Sequence, residues 1–281
     1  LEGFTIEDGP FWTIHPVYSE NIIIRRLNIL TYSGNTDGIV IDSSKNVFIN
    51  DIELSTGDDV IAIKSGLDEE GRNINKPSEN IVILNIKAKK GGGGISIGSE
   101  MSGGVRNIFV SDSQFDGTYY GVRIKSLESR GGIVENVWFE NLRMTDIKKH
   151  AIILTMLYKT MMRSKKVNLP VFKNMCFNNI YVSDANDAIE ILSLEDSLID
   201  NIIFENIKIN SERGVKALNA SNLTFSGMEI KTEKYPVYEF NNSQKVNLTN
   251  IKCDSAIAIS DCLKIKDKKA SEINFEGENI Y

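Results

Sequence analysis

Residues 35–65 read NTDGIVIDSSKNVFINDIELSTGDDVIAIKS: two short apolar runs, each preceded by carboxylates. If the runs stack as neighbouring strands, Asp37, Asp58 and Asp59 meet on one face.

An internal repeat decides that they stack, because self-similarity at a near-constant period fixes architecture before any single residue can. SENIIIRRLNI (19–29), SKNVFINDIEL (44–54), SENIVILNIKA (78–88), VRNIFVSDSQF (105–115), VENVWFENLRM (134–144), FKNMCFNNIYV (172–182), IDNIIFENIKI (199–209) and ASNLTFSGMEI (220–230) are one strand in one phase. Their shared asparagines fall at 21, 46, 80, 107, 136, 174, 201 and 222, and weaker copies follow at SQKVNLTNIKC and ASEINFEGENI. Between the copies lies a second regular run: DGIVIDS, DVIAIKS, GGISIGS, YGVRIKS, HAIILTM, DAIEILS and RGVKALN. Apolar residues alternate with variable ones at period two, the pattern of half-buried strands.

One repeat thus holds at least two strands and no convincing helix, too little to bury an apolar face alone. Stacking on identical neighbours gives one continuous core, as in a parallel β-helix. The expectation is an all-β, single-domain solenoid over residues 1–281, with about ten coils at the observed repeat length. The 28 asparagines suit a chain that bends every few residues, since Asn tolerates the left-handed conformation. The sequence begins at Leu1 with a strand already under way, which predicts that a signal peptide, earlier coils with their cap, or both precede it.

Composition narrows the function classes. Apolar residues make up 41% and charged ones 25%, the ordinary balance of a globular protein. A net charge of −6 and a pI near 5.2 argue against nucleic acid as a partner, which calls for a basic footprint. No apolar run approaches the roughly 18 residues of a membrane span. Cys176, Cys253 and Cys262 lack metal-ligand spacing; one pairing, Cys253 with Cys262, stays open, and with it the redox compartment.

Setting the second runs in register puts Asp37, Asp59, Gly93, Tyr120 and His150 in one column, with rungs about 4.8 Å apart. Val40, Ala62, Ser96, Arg123 and Ile153 form an adjacent column, and Asp42, Lys64, Gly98 and Lys125 a third. Counting nine back from Asn21 adds Trp12 and His15 beneath them. Like charges this close raise one another's pKa. One protonated carboxyl beside an ionised one is the equipment of glycoside hydrolysis, and neighbouring cations suit an anionic sugar. Such chemistry needs no metal or other cofactor.

At these residues the sequence resembles a known family. NTDG (35–38), GDD followed by an apolar strand and KSG (57–66), GISIGSEMSGG (94–104) and RIK (123–125) are similar to the four ordered signature blocks of the polygalacturonases, glycoside hydrolase family 28. FWTIHPVYSENI, DEEGRNINKPSENI and SEMSGGVRNI resemble its bacterial, often exo-acting, branch. The resemblance implies a right-handed parallel β-helix and single-displacement hydrolysis of pectin with inversion. It implies Asp58 as general acid, Asp37 and Asp59 as holders of the attacking water, and Arg123 and Lys125 as partners of the galacturonate carboxylate. Asn35, His15 and Tyr158 fall at substrate-binding positions, and the resemblance points to a secreted or periplasmic enzyme.

One departure stands out. The family's third block reads GHG, whereas this chain has Gly91-Gly92-Gly93-Gly94, with Gly93, or Gly92 in an alternative bacterial spacing, where histidine belongs. A glycine there is expected to open space for a larger or branched sugar. That leaves two alternatives beside polygalacturonase activity: hydrolysis of a branched or rhamnogalacturonan linkage, and a catalytically silent pectin-binding solenoid. His150, three rungs above Asp59, is too far away to replace the missing imidazole. Two long steps of the repeat, carrying GLDEEGRNINKP and TMLYKTMMRSKKVNLP, are expected to wall the binding face. The second carries Tyr158 and the basic residues Arg163, Lys165 and Lys166.

Overall fold

The computed structural model describes residues 1–161, 167–253, 259–266 and 271–279. Two unbroken ladders of parallel strands account for nearly all of them. One ladder runs through Glu20–Leu30, Lys45–Ser55, the first half of Ser78–Gly98, Val105–Asp116, Ile133–Thr145, Val171–Val182, the first half of Ile199–Leu218, and the strands from Ala220, Gln244 and Ser271. These are the asparagine-phased segments, each paired with the copy before it. The other ladder joins Ile39–Asp42, Ile61–Lys64, the second half of Ser78–Gly98, Thr118–Lys125, Ile147–Thr155 and Ala185–Leu192.

The asparagines explain why the chain turns where it does. Asn21, Asn46, Asn80, Asn107, Asn136, Asn174, Asn201 and Asn222 all have φ between 52° and 59°, a left-handed conformation that few other residues adopt so readily. From Asn46 up to Asn201 the amide of each donates to the asparagine below: Asn46 to Asn21 at 3.1 Å, Asn80 to Asn46 at 3.2 Å, Asn107 to Asn80 at 3.0 Å. Five residues on, Arg26, Asp51, Asn85, Asp112, Asn141, Asn179 and Asn206 repeat the left-handed conformation. Each copy therefore carries two bends, which carry the chain around the core.

Inside, identical positions stack. Phe139, Phe177, Phe204 and Phe225 lie ring on ring at 5.1, 4.9 and 5.0 Å, and Ile24, Ile49, Ile83 and Val110 are fully buried in one column. Outside, beside the asparagines, charges alternate in sign up the ladder: Glu20, Lys45, Glu79, Arg106, Glu135, Lys173 and Asp200 are successive register partners. Lys45 pairs with Glu20, Arg106 with Glu79 and Lys173 with Glu135.

Two expectations need correction. A helix does form, Asp68–Ile74, inside the long step after Lys64. Its first turn carries Asp68, Glu69 and Glu70, which complement the positive helix end, and Asn75 closes it in a left-handed cap. The repeat pattern could not reveal it, because this segment is the insertion between repeats. The second-run strands are also more than half buried: Ile39–Ile41 and Ile61–Lys64 are buried on both faces, because the floor of a walled cavity is itself covered. Cys253 and Cys262 form a disulfide. Among the described residues, no helix is long and apolar enough to cross a membrane.

Candidate active site

The predicted register holds rung by rung. Ile39, Ile61, Ile95, Val122 and Ile152 are successive partners, as are Ser96 with Arg123 and Gly98 with Lys125. Below them the segment Thr13–Tyr18 is hydrogen-bonded along residues 37–42, Thr13 N–H donating to the Asp37 backbone carbonyl at 2.9 Å and Ile14 N–H to that of Gly38 at 3.0 Å. On this floor lies a cavity of about 530 Å³, lined by Asn35, Asp37, Asp58, Asp59, Arg123, Lys125 and Tyr158 among others. Seven of the eight residues read from the sequence therefore converge. His15 does not line it; its Nε2 stands 3.6 Å from Asp42 and its ring meets Trp12 edge-on. Gly66 and Leu67 from one long step, and Tyr158 and Thr160 from the other, form walls; Arg163, Lys165 and Lys166 lie outside the described residues.

The carboxylates are in three different electrostatic situations. Asp59 is buried, which alone would raise its pKa. Lys125, whose Nζ is 2.9 Å from Oδ2, Arg123 and the Ser96 hydroxyl outweigh burial and hold it down at about 2. Asp37 has burial and the charges of Asp59 and Asp58 against its ionisation, with Lys64 and Lys125 only partly compensating, and is pushed up to about 7. Asp58 is raised as well, by burial first and Asp59 second. One permanent anion thus lies among two carboxyls that tend to keep a proton.

Three residues without an assigned role in the sequence complete the cavity. Lys64 is 5% exposed, reaches Glu100 at 2.7 Å and lies 4.6 Å from the centre of the Trp12 ring. Burial pulls the Lys64 pKa down, but Glu100, Asp37 and Asp59 outweigh it and keep the ammonium charged. Phe11 stacks on Trp12 at 4.8 Å. The sequence signal for Lys64 was its position in the column of Asp42 and Lys125; Glu100 and Phe11 lie in segments that carry the family resemblance but outside the repeated strands, so the register gave them no place.

The glycine block does not leave an opening. A Cβ on Gly92 would stand 2.7 Å from Asp58 Oδ1 and 3.0 Å from the Asp59 backbone nitrogen, and one on Gly93 would stand 2.3 Å from Ser96 Oγ. The expected extra space is filled by the acids themselves, and position 92 is the one whose side chain would face both Asp58 and Asp59. His150 is engaged elsewhere, its Nε2 3.0 Å from Glu190 and its ring stacked on Tyr120.

Similarity to known proteins runs through these residues. A probable polygalacturonase of Vitis vinifera is 37% identical over 151 residues, covering 53% of this chain and 31% of that protein. An endo-polygalacturonase of Pectobacterium carotovorum subsp. carotovorum is 35% identical over 179 residues, covering 63% of this chain and 41% of that protein. The crystal structure of a hyperthermoactive exopolygalacturonase from Thermotoga maritima superposes with a TM-score of 0.70 at 29% identity, over 87% of this chain and 51% of that one. The chain thus spans about a third to a half of the length of these relatives. Residues 1–228 match the family described as Glycosyl hydrolases family 28, and the chain belongs to it.

Proposed function

We propose that this chain is an inverting glycoside hydrolase that cleaves α-linked galacturonic acid in pectic poly- or oligosaccharides, on a right-handed parallel β-helix of about ten coils. The observation that carries this reading is the convergence of Asp37, Asp58 and Asp59 with Arg123 and Lys125 on one cavity, where burial and charge hold Asp59 down and push Asp37 and Asp58 up. In this reading Asp58 donates its proton to the departing glycosidic oxygen. Asp59, kept anionic by Lys125, accepts a proton from the attacking water, and Asp37 holds that water in place. Inversion asks for an acid and base roughly 6.5 to 9.5 Å apart, with water on the opposite face of the sugar. Arg123 receives the substrate carboxylate: among the described residues it has no carboxylate partner, and it lies against the rings of Tyr120 at 4.4 Å and Tyr158 at 5.2 Å. Lys125 supports the same charge while paired with Asp59, and Asn35 supplies a polar group at the floor.

The names of the relatives, endo- and exo-acting polygalacturonases, support the substrate class. The Cys253–Cys262 disulfide supports a secreted or periplasmic site of action, since such bonds persist in oxidising compartments. The test is release of reducing ends from polygalacturonate, with polarimetry or NMR to follow the anomer first formed; retention of activity by Asp58→Asn would remove the acid from the scheme. A silent pectin-binding solenoid is the second reading, favoured by Gly92 where a histidine would face the acids. Saturable galacturonide binding with no product after prolonged incubation would establish it instead.

A further inference from the structure

Phe11 is 59% exposed although it lines a cavity dominated by charged groups. One side of its ring is covered by Trp12, the planes inclined by 15°. Trp12 has little freedom of its own. Its backbone is left-handed at φ 49°, Lys64 Nζ lies over its ring, and His15 meets it edge-on. The buried Lys64–Glu100 pair and the His15–Asp42 contact therefore fix Trp12 as a backing plate, and Phe11 is the aromatic surface this plate presents outward. Exposure alone would be ordinary for a surface aromatic; what sets Phe11 apart is that its ring lines the cavity and is held in place by a fixed second ring.

Its position relative to the acids gives the direction. Phe11 leads into the rung below Asp37, whereas Arg123 sits on the second rung above Asp59. From the Thr13–Tyr18 segment to the Arg123 strand is four rungs, about 19 Å at the usual strand spacing. The acids lie between, so a substrate with its carboxylate at Arg123 extends toward Phe11 across the reacting bond.

Resting on the galacturonide reading above, we propose that Phe11 is a sugar-stacking subsite on the side of the acids opposite Arg123, taking the C–H face of a galacto-configured pyranose. In that configuration the axial hydroxyl leaves the hydrogens on carbons 3, 4 and 5 as one continuous apolar patch, which fits flat on an aromatic ring whose partial negative charge faces it. The subsite recognises ring shape and needs no charge, so it accepts an esterified or neutral galacto-configured unit as readily as a uronate.

The experiment is calorimetric titration of trigalacturonate into Asp58→Asn protein, with and without Phe11→Ala and Phe11→Tyr. Phe11→Ala is expected to weaken binding about tenfold, the scale of a lost aromatic contact, and Phe11→Tyr to restore it. In active protein the same change raises KM about tenfold and leaves kcat within about twofold, the signature of uniform binding. Equal affinities for the parent and Phe11→Ala proteins would overturn the subsite while leaving the hydrolase reading intact. If the Asp58→Asn protein and wild type both fail to bind trigalacturonate, the hydrolase reading falls and the subsite with it.

Discussion

Lys125 Nζ lies 2.9 Å from Asp59 Oδ2, with the two side chains only 8% and 3% exposed. Breaking a buried pair from one side leaves an uncompensated charge, which costs about 3–5 kcal/mol. Lys125→Met is therefore expected to lower unfolding free energy by that order, read by urea denaturation at pH 7. Asp59→Asn in the same chain should recover most of the stability and none of the activity. The pair's contribution is present above pH 3.8, the ordinary carboxylate value, and disappears as pH falls through about 2.

Asp37 works in the opposite direction. Its folded pKa of about 7 lies above the unfolded 3.8, so the native state holds the proton more tightly and this group favours folding below about pH 4. Stability is lost as pH rises from 4 to 7. Asp37→Asn should raise the melting temperature at pH 8 and leave it unchanged at pH 3.5. A melting-temperature difference that does not grow with pH across this range would refute the assignment.

Catalysis inherits the same titration. Asp37 and Asp58 repel one another's charges, so they are expected to lose protons as a coupled set. The kcat/KM profile should decline on the alkaline side as the set ionises, and Asp58→Asn should reduce kcat by roughly 10²–10⁴-fold, the worth of a positioned acid.

Gly92 backs onto the acids, so a methyl group there must push Asp58 Oδ1 from its place. Because that atom ends a flexible side chain, Gly92→Ala should lower kcat more than it lowers stability. A more than tenfold loss of kcat with a melting temperature within about 4 °C of wild type, the shift expected for 1 kcal/mol in a chain this size, is the expected outcome.

Arg123→Lys keeps the charge and removes the planar fork that grips a carboxylate in two places. KM for galacturonides should rise several-fold while thermal stability barely changes, because among the described residues Arg123 holds no ion pair. A melting shift as large as that of Lys125→Met would show instead that Arg123 is a structural group.

Much of this was legible because a repeat makes sequence position equivalent to height. Once Ile39, Ile61, Ile95 and Val122 were aligned, Asp37, Asp59 and Arg123 had no freedom to be anywhere but on one face. What escaped lies where the repeat is interrupted. The helix at Asp68–Ile74 belongs to an insertion with no counterpart in the next coil, Glu100 lies in the turn between two strands, and Phe11 precedes the first asparagine-phased strand. The side-chain consequences of Gly92 escaped for another reason: a residue missing from a motif reads as empty space, whereas packing lets Asp58 and Asp59 occupy it. His15 kept its register, and what the sequence could not show is that its ring turns toward Asp42 and Trp12.

The outer column Glu20, Lys45, Glu79, Arg106, Glu135, Lys173 and Asp200 bears on how the chain finds its fold. Stacked asparagines and isoleucines are indifferent to which copy lies beneath which, so a coil that skipped its neighbour would still satisfy them. The alternating charges would not: skipping one copy sets Glu20 against Glu79 or Lys45 against Arg106, and like charges directly opposed repel. Sign alternation thus works as a parity check on the stack: each single-copy omission would exchange several weakly attractive exposed pairs for repulsive ones.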